Sequence, residues 1–425
     1  MIKTACFYFL LLFYALGVSA QKNSLSDSIY NPNIKTVLFQ GRDAEEPYPK
    51  IRLGSDDMLE LHFDELGTEA KNYQFTVVHC NYNWKPSGLL PNQYIDGLNS
   101  DFINVYNNSF NTYINYIHYE NSFPNFNMKP IISGNYLLKV YEDGDEEKLV
   151  LTKRFYVVDY SAKIDAVLRR ATLARHMYTS HEIDFNVNIS ALQSFIPRND
   201  FRVTLRQNNR WDNAKYNIEP QFVLEKELQY NYEEENVFKA FNEFRVFDTR
   251  NVRFGGQSLY KNYLSDSSVY HAVLYAEKDR SELPHRYYID LNGHYIIQNL
   301  DGQNDDLESD YVWVHFYMLS TYEMEQDVYV FGALSNWKLK PEFKMEYNKE
   351  KHWYHTKVLL KQGFYNYVFA AEKNGKPDLE ELEGSYYETE NDYEIIVYQR
   401  SMVLNADVIV GYKLINSLRG EKDEE

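Results

Sequence analysis

The sequence Tyr136-Leu-Leu-Lys-Val-Tyr141 leads through the acidic segment Glu142-Asp-Gly-Asp-Glu-Glu147 to Lys153-Arg-Phe-Tyr-Val-Val158. Both outer segments are rich in branched and aromatic side chains, which pack well on a pleated surface. Asp143 and Gly144 form a pair that tolerates the positive φ angles of a tight turn. The pattern therefore predicts an antiparallel β-hairpin.

Alternation of apolar and polar residues recurs along the chain. Examples are Leu59-Glu-Leu-His-Phe63, Tyr113-Ile-Asn-Tyr-Ile-His-Tyr119 and Glu182-Ile-Asp-Phe-Asn-Val-Asn-Ile189. A period of two turns one face of a strand towards a core and the other towards water. Many such segments, separated by turns and without a long helical period, predict an all-β protein. We expect tandem immunoglobulin-like or fibronectin-like antiparallel β-sandwich domains.

The length of 425 residues exceeds that of one ordinary domain. A run of strands ends near Asp159, and the polar stretch 301–310 is typical of a loop or a domain junction. We therefore predict three sandwiches over residues 28–160, 163–305 and 310–415. Residues 416–425 are predicted to form a disordered tail.

Residues 1–20 have the layout of a cleaved secretory signal peptide. Lys3 precedes an apolar run from Phe7 to Leu16, and small residues follow as far as Ala20. The apolar run is too short to span a bilayer comfortably, although an uncleaved anchor is the alternative. The sequence therefore predicts an exported protein that is not itself inserted in a membrane.

Composition excludes several classes of protein. With 44 Lys and Arg against 62 Asp and Glu, the formal net charge is −18, which disfavours binding to nucleic acid or to anionic lipid. Aromatic residues make up 16% of the chain, which argues against intrinsic disorder.

Motifs for catalysis are missing from the sequence. It contains no Gly-rich phosphate loop, no zinc-protease helix, no paired-cysteine metal site and no nucleophile elbow. The acidic stretch 301–310 misses the EF-hand spacing for calcium. Cys80 is the one cysteine outside the signal segment and is predicted to be a buried, inert thiol. We therefore expect no catalytic residue, cofactor, metal or small-molecule substrate.

Two parts of the sequence are candidates for docking a protein partner. Trp84 precedes a proline and a glycine, which suggests a loop tip, although the indole could equally fold back on its own core. The second candidate is a charge-rich segment, which forms either a docking surface or a structural ion-pair network at a domain interface. Its charged members are Glu243, Arg245, Asp248 and Arg250.

A glycan-binding function is the main alternative. The segment Val328-Tyr-Val-Phe-Gly-Ala-Leu-Ser-Asn-Trp337 resembles the glycogen- and starch-binding immunoglobulin-like modules, with Leu334 in place of their phenylalanine. Trp337 and Trp353 could offer flat apolar faces to sugar rings. The same residues would also make a sandwich core.

Several stretches taken in order carry a second resemblance, which covers residues 28–412. They are Ser28-Ile-Tyr-Asn-Pro-Asn33, Val78-His-Cys-Asn-Tyr-Asn-Trp84, Tyr94-Ile-Asp-Gly97, Ser133-Gly-Asn-Tyr136, Asn242-Glu-Phe-Arg245 and Asp290-Leu-Asn-Gly293. Together they resemble the plug protein family of the type IX secretion system of Bacteroidetes, which is defined by an N-terminal sandwich domain.

The resemblance implies a non-enzymatic periplasmic protein. Its partner would be the outer-membrane translocon β-barrel, whose periplasmic opening it would cover while no cargo passes. A rigid stack of sandwiches fits this role, because loops clustered at sandwich ends can present a broad surface. An enzyme with an unrecognised site is the third hypothesis.

Overall fold

The structure is a computed structural model that describes residues 25–42 and 48–421. Strands joined by turns dominate it, and this confirms the predicted all-β class. The predicted signal peptide, residues 1–20, lies outside the described residues. Within the described ranges, no helix is long and apolar enough to cross a bilayer.

The first third of the chain forms β1 to β12. Their bounds are β1 (Ser28–Ile29), β2 (Ile34–Gly41), β3 (Lys50–Arg52), β4 (Leu59–Leu66), β5 (Tyr73–Cys80), β6 (Ile95–Gly97), β7 (Ser100–Ile103), β8 (Val105–Asn108), β9 (Tyr116–Phe123), β10 (Met128–Pro130), β11 (Gly134–Glu142) and β12 (Leu149–Val158). A short 3₁₀ helix, Pro91–Gln93, precedes β6.

These strands build the first sandwich. One sheet has the order β1-β12-β11-β5-β7, with β3 parallel to β12, and the other has the order β2-β4-β9-β8. The predicted hairpin is β11 and β12, with Tyr136 opposite Phe155. Leu138 and Phe155 point inward and meet Phe63 and Phe75 in a fully buried core.

The middle of the chain forms β13 to β19 and one short helix. Their bounds are β13 (Lys163–Arg170), β14 (Ser180–Asn188), α1 (Pro197–Asp200), β15 (Phe201–Gln207), β16 (Lys215–Ile218), β17 (Phe222–Val223), β18 (Glu227–Tyr230) and β19 (Val237–Lys239). One sheet of the second sandwich has the order β13-β14-β18-β17, and β19 also pairs with β14.

The next segment forms β20 to β30 and two short helices. Their bounds are β20 (Arg245–Asp248), β21 (Leu259–Leu264), β22 (Tyr270–Leu274), β23 (Glu277–Lys278), β24 (Tyr295–Ile297), α2 (Asp305–Glu308), β25 (Tyr311–Leu319), β26 (Val328–Phe331), β27 (Lys344–Asn348), β28 (Trp353–Lys361), β29 (Gly363–Lys373), β30 (Lys376–Asp378) and α3 (Glu380–Glu383). Two 3₁₀ helices, Ala333–Ser335 and Pro341–Phe343, lie between β26 and β27.

The third sandwich is one continuous sheet that folds back on itself. Its order is β20-β29-β26-β27-β28-β25-β22-β21, with β24 and β30 on β29 and β23 on β25. Phe247 of β20 and Tyr367 of β29 meet Phe316 of β25 across the core. The pairings of β22 and β23 with β25 are parallel, which departs from the predicted antiparallel pattern.

The last strands are β31 (Asp392–Ser401), β32 (Ala406–Asn416) and β33 (Gly420–Glu421). They belong to the second sandwich and not to the third, because β31 pairs with β15 in a sheet of order β16-β15-β31-β32-β33. The predicted division into 163–305 and 310–415 is therefore wrong. The third sandwich spans β20 to α3 and is inserted between two parts of the second.

Both faces of the β31–β32 hairpin are buried. Ile395 and Val397 of β31 pack in the core of the second sandwich, whereas Ile396 and Tyr398 pack on the first. A strand covered on both sides reads as a continuous apolar run instead of an alternating one. The hairpin thus forms its strand hydrogen bonds with the second sandwich, and its side chains pack against both the second and the first.

The predicted tail over 416–425 is also corrected. β32 continues to Asn416, and Gly420 of β33 lies opposite it in a hairpin. Residues 422–425 lie outside the described part of the chain.

Candidate functional site

Trp84 lies in the junction between the first and second sandwiches. Its side chain is only 2% exposed and packs edge-on against Trp211 at 5.1 Å between ring centroids. The guanidinium of Arg154 lies 4.5 Å above the Trp84 ring and 4.6 Å from that of Trp211. The indole is therefore neither exposed at a loop tip nor folded back on its own core alone, because a residue of the second sandwich covers it.

The junction around Trp84 is built from the outer face of the C-terminal hairpin. The hydroxyl of Tyr398 donates to the Asn135 side-chain oxygen over 3.0 Å, which ties β31 to β11. The buried cluster also contains the thiol of Cys80. Burial raises the pKa of the Cys80 thiol to about 12, and the structure confirms that this free cysteine is buried.

A charged pair reinforces the same junction. Arg206 of β15 and Glu394 of β31 are both buried, and the guanidinium lies 4.2 Å from the Trp211 ring. The Tyr412 hydroxyl donates to the Glu394 carboxylate over 2.9 Å. Stacking on an aromatic face offsets part of the cost of burying the guanidinium.

Arg245 begins β20 and is the centre of an ion-pair network within the third sandwich. It donates to Glu383 and to Glu277, each over 3.0 Å, and Arg280 donates to the other Glu383 oxygen over 2.5 Å. Although burial opposes its charge, the two guanidinium groups lower the pKa of Glu383 below its usual value. Arg245 is buried by these contacts and is not available to a partner protein.

Glu243 is buried beside this network and is not paired with Arg245. Its carboxylate lies 3.2 Å from His285 and accepts the backbone N–H of Glu390 over 3.1 Å. Burial first, and then the charge of Asp290, raise the pKa of Glu243 to about 8. Both side chains are therefore buried in contacts within the protein, which gives no support to a docking role for Glu243 or Arg245.

Asp248 and Arg250 do share one surface. The guanidinium of Arg250 donates to the Asp248 carboxylate over 2.7 Å and to the Gln298 side chain over 3.0 Å. Both residues are partly exposed. They form a local pair next to β20 that is separate from the Arg245 network.

The two tryptophans of the glycan hypothesis lie in different surroundings. Trp337 packs against Phe244 and Phe331 beside Arg210. Trp353, at the start of β28, packs edge-on against Tyr317. The aromatic contacts of the two indoles share no residue, so the structure lends no support to a common sugar-binding platform.

A cleft of about 430 Å³ runs between the sandwiches, with Trp211 and Trp337 among its lining residues. Two of its cationic groups, Lys338 and Arg154, bind to the start of the described chain. Lys338 donates to the Ser28 hydroxyl over 3.1 Å and to the Asp27 carbonyl, and Arg154 donates to the Leu25 carbonyl. The cleft is therefore a seam between parts of the protein, crossed by its own N-terminal segment.

An exposed apolar patch lies at one end of the first sandwich. We call it the Phe126 patch and define it by Leu98, Phe102 and Phe126. Phe126 is 96% exposed, and the other two side chains are more than half exposed. Large apolar side chains that are left exposed on neighbouring segments are candidates for contact with other molecules.

Hydrogen bonds hold the Phe126 patch together. The side chains of Asn125 and Asn127 both donate to the Asp101 carboxylate, at 3.0 and 3.1 Å, beside Phe102. The backbone N–H of Leu98 donates to the carbonyl of Asn127 over 2.8 Å. The loop thus presents Phe126 on a fixed backbone, which lowers the entropic cost of binding.

The Phe126 patch was not among the predicted docking residues. The sequence does carry a signal for it, since Phe126 lies alone between two asparagines that follow a proline. An aromatic side chain within turn-forming residues belongs to a surface loop and cannot serve a strand core.

The chain is similar to known proteins in its first domain and in its overall fold. Residues 34–159 match a family model described as the first domain of type 9 secretion system plug proteins. The crystal structure of a hypothetical protein from Parabacteroides merdae ATCC 43184 is similar to this chain, with a TM-score of 0.88 and 30% identity, over 92% of this chain and 99% of that one. No curated protein matches the chain significantly.

Proposed function

The chain belongs to the family of type IX secretion system plug proteins, and we propose that it closes the periplasmic opening of the outer-membrane translocon barrel while the barrel is idle. In this role it is exported to the periplasm and held at the outer membrane by its protein partner. It catalyses no reaction and acts by occupying space.

The burial of the β31–β32 hairpin on both faces carries this proposal. The hairpin completes the second sandwich and packs on the first. The third sandwich is joined to the first by the buried Lys361–Asp64 ion pair and to the second by a hydrogen bond from the Asn292 side chain to Asp392. Domains linked only by small polar interfaces would move relative to one another. A cover for a wide aqueous pore has to resist such motion, and these large buried junctions provide the resistance.

We assign contact with the translocon to the Phe126 patch. It belongs to the first sandwich, which is the part of the chain that matches the family model. A reversible cover needs an interface of about 1,200–2,000 Å² whose aromatic anchors contribute most of the binding energy. Phe126 and Phe102 are suitable anchors because both are exposed, Phe102 on β7 and Phe126 on a loop whose Asn125 side chain donates to Asp101 of the same strand.

Affinity capture tests the function. Tagged full-length protein is used to capture partners from detergent-solubilised outer membranes of cells whose secretion is idle, and the captured proteins are identified by mass spectrometry. We expect the translocon barrel as the main partner. If the barrel is absent from the captured material, the proposed function is wrong.

Two substitutions then test the docking surface separately. Phe126→Ser is expected to reduce capture of the barrel at least about tenfold, the scale of a hot-spot residue. Phe195→Ser, a matched change of a 91% exposed residue on the second sandwich, should leave capture unchanged. Equal capture by the parent and by Phe126→Ser would reject the surface and leave the function standing.

A further inference from the structure

A cluster of histidines and carboxylates lies where the first sandwich meets the third. In the register of β4 and β9, His62 lies opposite Glu120, and Asp64 lies opposite His118. Residues 60, 62 and 64 share one face of β4 because they are two apart, as residues 118 and 120 do on β9. The ladder therefore collects two imidazoles and several carboxylates on one face.

Four potential ligand atoms converge in this cluster. Nδ1 of His62 lies 3.1 Å from Nε2 of His118. The same His118 nitrogen lies 3.8 Å from a carboxylate oxygen of Glu120 and 3.8 Å from one of Asp306. All four ligand atoms lie within 4.8 Å of one another.

Hydrogen bonding directs the lone pair of His118 into the cluster. Nδ1 of His118 lies 2.7 Å from Oδ1 of Asp64, whose other oxygen accepts from Lys361 and Tyr311, each over 2.7 Å. A carboxylate that accepts from an ammonium group acts as an acceptor towards the imidazole as well, so Nδ1 of His118 carries the proton. Its Nε2 is therefore an acceptor: without an ion it accepts the Nδ1–H of His62 over 3.1 Å, and its lone pair becomes a ligand when a metal replaces that proton.

His62 is supported in the same way. Its Nε2 lies 3.6 Å from the carboxylate of Glu60, the next residue on the same face of β4. When Nδ1 of His62 acts as a ligand, Nε2 holds the proton and faces this carboxylate. Both imidazoles thus have a carboxylate behind the nitrogen that points away from the cluster, the arrangement that orients histidine ligands in metal sites.

Asp306 brings the third sandwich into the cluster. It lies in α2, and its backbone carbonyl accepts from the Tyr116 hydroxyl over 2.8 Å and from Lys361 over 2.7 Å. These bonds fix the backbone and leave the carboxylate of Asp306 free to turn towards His118. The four potential ligands come together only when the first and third sandwiches are in contact.

We propose that one zinc ion binds to four side chains of this cluster: His62, His118, Glu120 and Asp306. Zinc takes imidazole nitrogen and carboxylate oxygen at about 2.0–2.2 Å in a tetrahedron, which places two ligand atoms about 3.3 Å apart. The 3.1 Å between the two histidine nitrogens is close to that value. Small rotations of the partly exposed Glu120 and Asp306 side chains close the remaining distances.

The ion fastens the first sandwich to the third. Three of its ligands belong to β4 and β9, and the fourth belongs to α2. Because the assembled set exists in the folded chain alone, zinc binding stabilises the folded state and the contact between the sandwiches. This site is separate from the Phe126 patch and does not depend on the proposed translocon partner.

Titration of the chelator-treated full-length protein tests the proposal. With zinc chloride in a calorimeter we expect one equivalent to bind and the thermal unfolding midpoint to rise. Cobalt(II) should bind in its place and give the visible absorption bands of a tetrahedral site. Calcium and magnesium should not compete, since two imidazole ligands disfavour them.

Substitutions locate the ion. Asp306→Asn and His62→Gln are expected to lower zinc affinity at least about 100-fold, since loss of even an outer partner costs 10 to 100-fold. His355→Gln is the matched control, because His355 belongs to a separate row with His315 and His271. It should bind zinc as the parent does.

Three outcomes would overturn the proposal. They are no zinc binding by the parent, equal binding by the parent and both cluster variants, or loss of binding in His355→Gln alone. Circular dichroism of each metal-free variant shows whether the fold is kept. Asp306→Asn keeps the backbone bonds that hold α2, so its loss of binding reports on the carboxylate.

Discussion

Arg206 and Glu394 lie directly opposite each other on β15 and β31 and form a buried ion pair, with 2.6 Å between guanidinium nitrogen and carboxylate oxygen. They are 188 positions apart in the sequence, with the whole third sandwich between them. The pair therefore closes the second sandwich around an inserted domain. It also faces the first sandwich, through the stacking of Arg206 near Tyr156.

Removal of one partner of this pair should destabilise the protein strongly. Arg206→Met leaves the Glu394 carboxylate buried and unpaired, which is expected to lower the free energy of unfolding by about 3–5 kcal/mol. Urea denaturation measures this change. Arg175→Met, in an exposed pair with Glu234, is the control and should cost about 1 kcal/mol or less.

The buried position of Trp84 gives a second prediction. Trp84→Ala removes an indole packed between Trp211 and Arg154, and we expect it to lower the free energy of unfolding by about 3–5 kcal/mol. Urea denaturation of the parent and the variant gives the difference. A variant of parental stability that no longer captures the translocon would instead place Trp84 at the partner interface.

The buried carboxylate of Glu243 should make stability depend on pH. Its pKa is about 8 in the folded protein against a usual value of 4.5. Between these values the folded state keeps a proton that the unfolded state has released, so the free energy of unfolding falls as pH rises. One such proton gives a slope of up to about 1.4 kcal/mol per pH unit.

Glu243→Gln replaces the titrating carboxylate with an amide that binds no proton in this pH range. We expect the variant to become more stable relative to the parent as the pH rises from about 5 to about 8. Urea unfolding at several pH values measures the two slopes, with the exposed Glu225→Gln as the control. Identical slopes for the parent and Glu243→Gln would mean that another group governs the pH dependence.

Gly97 holds the Phe126 patch in place. Its φ angle is +106°, and a Cβ at this position would lie 2.0 Å from the carbonyl oxygen of Asn127. Gly97→Ala is therefore expected to displace the loop that presents Phe126 and to lower the thermal midpoint. Gly54→Ala is a matched control, because Gly54 also has positive φ but open space around its Cβ position.

The control separates backbone strain from the steric clash. Strain from an alanine at positive φ costs about 1–2 kcal/mol, and this cost applies to both variants. Gly97→Ala should lose more stability than Gly54→Ala. It should also reduce capture of the barrel, whereas Gly54→Ala should not. Equal losses in the two variants would mean that the loop tolerates the added methyl group.

The inserted arrangement of the third sandwich gives a fifth prediction. A fragment of residues 163–305 lacks β31 and β32 and should fail to fold, because half of the sheet around β15 is missing. A chain that ends at residue 390 should likewise lose the second sandwich. Circular dichroism and urea unfolding check both. A cooperative unfolding transition in the fragment 163–305 would support the domain boundaries predicted from the sequence.

Local features of this protein follow from the sequence. The period of two identifies Leu59, Leu61 and Phe63 as core-facing, and Asp143-Gly144 marks a hairpin turn, because side-chain direction and turn geometry depend on neighbouring residues. The ordered motifs likewise predict the family, and the match over residues 34–159 confirms it.

Which distant segments pair with each other is visible only in the tertiary structure. The apolar run of β31 predicts a buried strand but does not show which sheet it joins, so the sequence places its hairpin in the third sandwich although it closes the second. Trp84 is a surface candidate in the sequence for the same reason, since burial by a residue of another sandwich leaves no local pattern.

The cluster around His118 shows most directly why contacts between distant segments cannot be predicted from local sequence. Glu60, His62 and Asp64 are spaced for one strand face, and so are His118 and Glu120, yet no spacing along the chain connects either group to Asp306. The register of β4 against β9 joins the first two groups, and packing of the third sandwich supplies the last. Local chemistry is encoded residue by residue, whereas convergence on one point in space requires the folded chain.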